Sequence, residues 1–463
     1  MTSDTFVYRS RMLAPATEVF AWHARPGAFV RLAPPWERIR LLDDGGGIRE
    51  GSRAEIEMSL GPFRQRWTAE HRDVEPGRRF RDIQIRGPFA RWEHTHTIEP
   101  EGAEESWLED RIDFTPPLGV AGRWLGGRLI RRKLQSTFCY RHRTLAEDLR
   151  AHHTARAGSM RIAITGSSGL VGSALVPFLT TGGHSVTRVV RRDRASGSTA
   201  RWDPVLGTID QDRLEGHDAF IHLAGENIAS GRWTTRRKRA IRDSRIEGTR
   251  LLCEAINRLQ KPPKTLVCAS AIGIYGNRGD EVLDERFAPG AGFLADICRE
   301  WEAIPESVRP RGVRVVNVRF GVVLSAEGGA LAVMLTPFKL GVGGVVGSGR
   351  QYFSWIGIDD VIGAIHHALT CEDLNGPVNV VSPHPVTNRE FTKTLGRVLR
   401  RPTVLPVPAF ALRLALGEMA DEMLLASVRV APRRLEETGY VFRDPELEPA
   451  LRHVLGKERR TRL

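Results

Sequence analysis

The chain has 463 residues, of which 41% are hydrophobic and 27% charged, with a formal net charge of +13. That length implies two or three domains, and that balance excludes a chain that is largely disordered. The basic excess is mostly arginine, scattered without a Lys/Arg tract, so the expected partners are anionic small molecules and not nucleic acid. There is no run of 18 apolar residues, so no membrane-spanning helix is expected. The five cysteines, Cys139, Cys253, Cys268, Cys298 and Cys371, form no C-x-x-C pair, which argues against a disulfide framework or a zinc knuckle. A cytoplasmic location is the expectation.

The chain begins "MTSDTFVYRSRM", which alternates polar and apolar and contains Asp4. It reads as a strand and not as a secretory signal. A short helix is expected near 15–22. Period-two runs follow. "RAEIEMSL" places Ala54, Ile56, Met58 and Leu60 on one face, "RDIQIRG" places Ile83 and Ile85 together, and "RWEHTHTIE" places Trp92, His94, His96 and Ile98 together. These runs predict a half-buried antiparallel sheet. A helix is predicted over about 122–150, with Leu125, Ile130, Leu134, Phe138 and Leu145 as its core face. His94 and His96 have a spacing that suits a metal, yet the sequence shows no third ligand. The expectation is a hydrogen-bonded pair lining a polar cavity, and no metal.

Residues 151–159, "AHHTARAGS", read as a linker. Beyond it the pattern changes. "RIAITG", "SVTRVV", "AFIHLAG", "TLVCASA" and "VRVVNVRFG" are short, continuously apolar strands separated by helical stretches such as 170–180 and 236–258. This alternation predicts an α/β doubly wound parallel sheet of the Rossmann type over 160–400. A mostly helical segment is predicted over 401–463.

The stretch "MRIAITGSSGLVGSALVPFL" places three glycines between a strand and a helix. Gly166 permits a tight turn, Gly169 lets backbone approach a pyrophosphate, and Gly172 lets the helix pack on the strand. The expected cofactor-binding set is Thr165, Gly166, Ser168, Gly169, Leu170, Val171 and Gly172, joined by Leu223, Ala224 and Gly225 at the end of "AFIHLAG". Arg191 and Arg192 follow the second strand, where an acidic residue would read the ribose of NAD. Two guanidiniums suit a 2′-phosphate, so NADP(H) is expected, with NAD(H) kept as the alternative by Asp193.

"ITGSSGLVG", "IHLAGENIA", "RWTTRRKRAIRDSRIEGTRLL", "SAIGIYGNRGDEVLDE", "GFLADICREWE", "RFGVVLSAEGGAL" and "GSGRQYFSWIGIDDV" together make residues 160 to about 455 resemble the epimerase family of atypical short-chain dehydrogenase/reductases. "RVAPRRLEETGYVF" resembles the small C-terminal domain of that family. In extended short-chain dehydrogenases a tyrosine and a lysine four residues later handle the proton, with a serine or threonine orienting the substrate. The resemblance places that pair on "GFLADICREWE", which holds no tyrosine or lysine and offers Leu294 and Cys298 instead. The remaining catalytic candidates are Ser270 and Tyr275. Glu226, Asn227, Arg232, Trp233 and Lys238, with Arg236 beside them, form the expected substrate-binding set. Asp359 and Asp360 read as helix-capping groups.

Residues 1–150 resemble the polyketide cyclase/START-like superfamily through "APATEVFAWHARPGAFVRLAPPW" and "GPFARWEHTHTIE". The resemblance implies an α+β helix-grip domain with a cavity for a hydrophobic small ligand. Two functions stay open. One is an NADP(H)-dependent oxidoreductase or epimerase acting on a small polar or nucleotide-linked substrate. The other is a non-catalytic NADP(H)-binding regulator with a ligand-sensing front domain. A monomer or homodimer is expected.

Overall fold

A computed structural model describes residues 3–60, 63–116, 119–155, 158–191 and 198–458. The chain divides into two compact units: Met1–Arg156 with Pro177–Gly183 and His453–Leu463, and Ala157–Val176 with His184–Arg452.

The first unit is a seven-stranded antiparallel sheet and three helices. Its strands are β1 (Asp4–Met12), β2 (Ile39–Asp43), β3 (Arg53–Leu60), β4 (Phe63–Glu75), β5 (Arg79–Arg86), β6 (Arg91–Glu101) and β7 (Glu105–Thr115), in the spatial order β1-β7-β6-β5-β4-β3-β2. Helices α1 (Ala16–Ala24) and α2 (Ala28–Leu32) connect β1 to β2, and α3 (Gly119–Ala155) follows β7. Leu134 and Phe138 of α3 pack with Phe6, Ile112 and Phe114 of the sheet. Leu145 and Leu149 pack with Met12, Trp22, Ile98 and Leu108. Each such side chain taken fully out of water contributes about 1.5–3 kcal/mol. Of the predicted core face, Ile130 is half-buried and the side chain of Leu125 lies outside the described residues.

Two sequence expectations need correction here. Helix α3 continues through Ala155 and takes in the first half of the expected linker. His152 and His153 in its last turn suit the negative end of a helix dipole, which explains a helical end that composition hid. Strand β5 presents the face opposite to the one expected. Ile85 is half exposed, whereas Phe80 is buried. Asp82 pairs across the sheet with His94, and Phe80 with His96. The two isoleucines suggested an inward face, but the aromatic ring of Phe80 sets the register.

The second unit is an eight-stranded sheet. Its elements begin with β8 (Arg161–Thr165), α4 (Leu170–Thr181), β9 (Ser185–Val190), β10 (Thr199–Asp203), β11 (Thr208–Ile209), β12 (Ala219–His222), α5 (Thr235–Arg258), β13 (Thr265–Ala271) and α6 (Phe293–Ala303). The spatial order is β11-β10-β9-β8-β12-β13, then Arg314–Phe320 and Gly376–Val380. Every pairing is parallel except the short β10–β11 hairpin. Strand order reverses between β8 and β12, so a crevice opens at their carboxyl ends. The C-terminal stretch has helices at Ala409–Leu416, Arg433–Glu437 and Leu447–Val454, with non-helical segments between them. Among the described residues no helix is long and apolar enough to cross a membrane.

Candidate functional site

The glycine loop sits at the reversal point. Gly166 has φ +69°, a conformation that L side chains resist, and a Cβ there would lie 2.6 Å from the carbonyl carbon of Leu223. A Cβ on Gly172 would lie 2.3 Å from the carbonyl oxygen of Gly166. Neither position accepts a side chain, so the turn, the start of α4 and the exit of β12 close on one another. Gly169 has ordinary φ and is exposed, with Ser168 beside it. Leu170 and Val171 begin α4, whose first-turn N–H groups have no partner inside the helix. This cradle of backbone donors at a positive dipole end fits a pyrophosphate. Leu223, Ala224 and Gly225 run alongside it, the first two half-buried and the last exposed. Arg191 is exposed just beyond β9, and Arg192 lies outside the described residues.

Thr165 is buried, and its Oγ1 accepts from the Ala224 N–H at 3.4 Å. Its Oγ1 lies 2.7 Å from Nδ1 of His222, whose Nε2 lies 3.0 Å from Oγ1 of Thr249. Nε1 of Trp301 donates to the same threonine oxygen at 2.8 Å. Burial holds the His222 imidazole neutral, with a pKa lowered to about 4. This chain ties β8, β12, α5 and α6 together behind the loop.

Ser270 and Tyr275, the catalytic candidates, both enter a buried network. Ser270 donates to Oε1 of Glu302 at 2.6 Å. Arg319 grips Glu302 through Nε at 2.8 Å and Nη2 at 2.7 Å. Its Nη1 donates to the Tyr275 hydroxyl at 2.9 Å. That hydroxyl also lies 2.8 Å from Oδ1 of Asn379 and 3.1 Å from the Asp284 carbonyl. Tyr275 is 0% exposed, and burial pushes its phenol up to about 12 despite the neighbouring guanidinium. On α6, Leu294 is half-buried, and burial followed by Glu302 raises the Cys298 thiol to about 11.

The expected substrate patch is distributed along the loop into α5. Trp233 is buried, donates to the Ile228 carbonyl at 2.8 Å, and meets Phe293 edge-on at 5.1 Å. Lys238 pairs with Glu418 at 2.8 Å and stands 4.4 Å over the Phe293 ring. Glu226 pairs with Arg237 at 2.8 Å. Asn227, Arg232 and Arg236 are exposed. The patch is therefore partly neutralised, with Arg232 and Arg236 as its outward cations. Asp359 and Asp360 lie in the first turn of the helix Ile358–Thr370. Asp360 accepts from the backbone N–H groups of Arg443 and Asp444, so it joins that helix to the C-terminal segment.

Known proteins agree with this geometry. Residues 162–381 match the NAD dependent epimerase/dehydratase family. An epimerase family protein of Mycobacterium bovis is 45% identical over 290 residues, covering 63% of this chain and 96% of that protein. The chain belongs to the epimerase family. The crystal structure of the human epimerase family protein SDR39U1 (isoform 2) with NADPH is 35% identical and covers 64% of this chain and 99% of that one, at a TM-score of 0.58. The nucleoside-diphosphate sugar epimerase from Corynebacterium glutamicum is 32% identical and covers 99% of this chain and 91% of that one, at a TM-score of 0.81. Residues 12–138 match the Polyketide cyclase / dehydrase and lipid transport family, and residues 407–454 match a Domain of unknown function (DUF1731).

Several residues of this epimerase-family site escaped the sequence reading. Arg319 had a visible signal, an arginine inside the apolar run "VRVVNVRFG". Asn379 and Thr249 had none, because they are polar groups met only through the fold.

The first unit holds a second polar site. His94 and His96 are both buried, and only His94 makes a well-aligned hydrogen bond. Asp110 on β7 receives them: Nε2 of His94 lies 2.7 Å from its Oδ1, and Nε2 of His142 lies 2.5 Å from its Oδ2. Asp82 on β5 lies 2.6 Å from Nδ1 of His71 through Oδ1. Burial opposes charge on His96, but Asp110 and Asp82 together raise its pKa to about 9. Burial and the charge on His96 lower His94 to about 4. Asp82 meets these histidines across the sheet, which the sequence reading missed because it assigned β5 the opposite face.

Proposed function

We propose that residues 160–454 bind NADP(H) and serve an oxidoreductase or epimerase reaction on a small polar or nucleotide-linked substrate. The observation that carries this reading is the cradle at Gly166, Gly169 and Gly172, closed on Leu223 and Ala224 where the sheet order reverses. The cofactor supplies a hydride donor or acceptor when bound. Backbone N–H groups at the start of α4 hold its pyrophosphate. Arg191, and with it Arg192, selects the 2′-phosphate over a bare ribose. Ala224 and Gly225 offer backbone to the ribose. Glu226, Asn227, Arg232 and Arg236 meet the polar substrate, while Trp233 and Lys238 brace the loop that carries them.

A second reading is a non-catalytic NADP(H)-binding regulator. It is favoured by the closed position of the Tyr275 hydroxyl and by an α6 that holds neither tyrosine nor lysine. Under either reading the first unit receives a small hydrophobic ligand, for which the half-buried rings of Trp67, Phe89 and Trp92 provide an apolar wall.

Calorimetric titration with NADPH and NADH, on the wild type and on Gly169→Asp, tests the proposal. The expected result is saturable NADPH binding, weaker NADH binding, and loss of both in the variant. No binding of either dinucleotide overturns both readings. Net oxidation of NADPH by any member of a nucleotide-sugar panel, or conversion of a member to its epimer by the NADP+-loaded protein, selects the enzyme, and absence of both selects the regulator.

A further inference from the structure

We propose that the first unit carries a divalent transition-metal site built from Asp82, His94 and His96. One ligand atom from each residue lies within 4.8 Å of the other two. The arrangement of the remaining atoms points the same way. Oδ1 of Asp110 takes the far nitrogens of both rings, 2.7 Å from Nε2 of His94 and 2.7 Å from Nδ1 of His96. The near nitrogens then face Asp82: Nε2 of His96 is 3.5 Å and Nδ1 of His94 is 4.0 Å from its Oδ2. His71 occupies the other oxygen of Asp82 at 2.6 Å. So one carboxylate orients two imidazoles from behind, and a second meets them in front. Metal-binding histidines take this form, with an outer carboxylate fixing the tautomer and the ring plane.

Packing holds the rings in that pose. Phe80 stacks on His96 with centroids 4.0 Å apart at 16°, and Phe138 meets His94 edge-on at 5.2 Å. His142 holds the second oxygen of Asp110 and is itself 2.6 Å from Oγ of Ser10. Nδ1 of His96 is buried with no well-aligned hydrogen bond, although Asp110 is close to it. The contact with Asp110 is therefore electrostatic.

Charge argues for the same occupant. Asp82 and Asp110 bring two negative charges into a largely buried cluster. A divalent cation would balance both by displacing the proton that His96 otherwise carries, metal binding being coupled to proton release. Two imidazoles and one carboxylate suit zinc, ferrous iron or cobalt better than calcium or magnesium, which prefer all-oxygen sets. Three protein ligands leave coordination positions open for water or for an anionic oxygen of a bound small molecule. Access runs past Asp82, whose side chain is 22% exposed, and His71, at 11%.

The test uses the full-length protein after chelation and dialysis. Cobalt(II) is titrated with visible absorption as the readout, and zinc(II) is then added as competitor. One cobalt per chain, displaced by zinc, is expected. Asp82→Asn and His96→Gln lose binding by at least about tenfold, and Asp110→Asn weakens it about 10–100-fold by releasing the ring orientation. Exchange of the exposed His384 for Gln changes nothing. Absence of saturable binding in the wild type overturns the proposal, as does binding that survives both Asp82→Asn and His96→Gln. Should those variants fail to fold, electron spin-echo spectra of copper-loaded wild type still decide. Two coordinated imidazoles support the site, and none or one refutes it.

Discussion

Oγ1 of Thr165 and Nδ1 of His222 stand 2.7 Å apart across 57 residues of sequence, where β8 and β12 leave the sheet on either side of the cofactor crevice. His222 is 0% exposed and continues the chain to Thr249 and Trp301. Its pKa is lowered to about 4 from an ordinary 6.5. The folded state therefore prefers the neutral ring. Its stabilising effect is complete above pH 6.5 and is lost as the pH falls toward 4, because the unfolded chain takes up a proton that the folded chain refuses. The loss is on the order of 3 kcal/mol at the acid end. His222→Gln is expected to be less stable at neutral pH by about 1–2 kcal/mol, through poorer hydrogen bonding, and to show a flatter acid limb. Denaturant midpoints of both proteins across that pH range check this, and parallel acid limbs would assign the acid sensitivity elsewhere.

The three loop glycines are not equivalent, and substitutions separate their roles. Gly166→Ala meets both a positive φ and a 2.6 Å backbone contact, so it should cost about 1–3 kcal/mol of stability and disturb binding only as a consequence. At Gly169 the backbone has ordinary φ and the only close atom is the Gly166 carbonyl oxygen, 3.3 Å from the position of a Cβ. Gly169→Asp should therefore keep a near-native melting temperature and abolish NADPH binding by placing a carboxylate at the phosphates. Thermal melts paired with calorimetry distinguish the two, and an equal loss of melting temperature in both variants would refute the distinction.

Tyr275 reads differently once its surroundings are known. Its hydroxyl receives Arg319 and reaches Asn379, and its pKa is pushed up to about 12. A proton held that tightly is a poor one to transfer at neutral pH. Tyr275→Phe should cost about 1–3 kcal/mol by leaving two buried polar groups unpartnered, and should leave NADPH affinity and any turnover largely intact. Complete loss of turnover at unchanged stability would restore Tyr275 as the proton donor.

The same network has a stronger link. Glu302 and Arg319 form a two-pronged ion pair with side chains 12% and 6% exposed. Glu302→Gln leaves the guanidinium buried without its counter-charge, at a cost of about 3–5 kcal/mol. Glu302→Ala is expected to cost at least as much, because Ser270 also loses its acceptor. Urea midpoints measure both, and a change below about 1 kcal/mol would mean that water replaces the carboxylate.

Periodicity and glycine spacing made most of the second unit legible. "RIAITG" followed by Gly166, Gly169 and Gly172 states a strand, a turn and a helix in one line, since each glycine answers a backbone requirement. The strand Thr199–Asp203 was not legible, because its two-residue partner and its polar Thr199, Arg201 and Asp203 break the apolar run. In the first unit the alternation of β6 was read correctly down to His94 and His96. The face of β5 was not, because Ile83 and Ile85 mimic an inward pattern that cross-strand register overrules. Asp82, Asp110 and His142 meet only through that register and through α3, so no spacing along the chain reveals them.

Arg191 provides the remaining test, on cofactor choice. It stands exposed one residue past β9, where the second strand of such a sheet delivers a group to the ribose. A guanidinium there supplies charge and forked donors to a 2′-phosphate and offers a 2′-hydroxyl little. Hydrogen bonds to charged groups contribute about 1.5–3 kcal/mol, so Arg191→Ala should weaken NADPH binding roughly tenfold or more while leaving NADH binding nearly unchanged. Replacing Arg192 together with Arg191 should enlarge the effect. Raised ionic strength should weaken NADPH binding to the wild type more than to the double variant, because the screened attraction is the one removed. Calorimetric dissociation constants for both dinucleotides at low and high salt measure this directly, and an NADPH preference that survives the double variant would place the 2′-phosphate on another part of the loop.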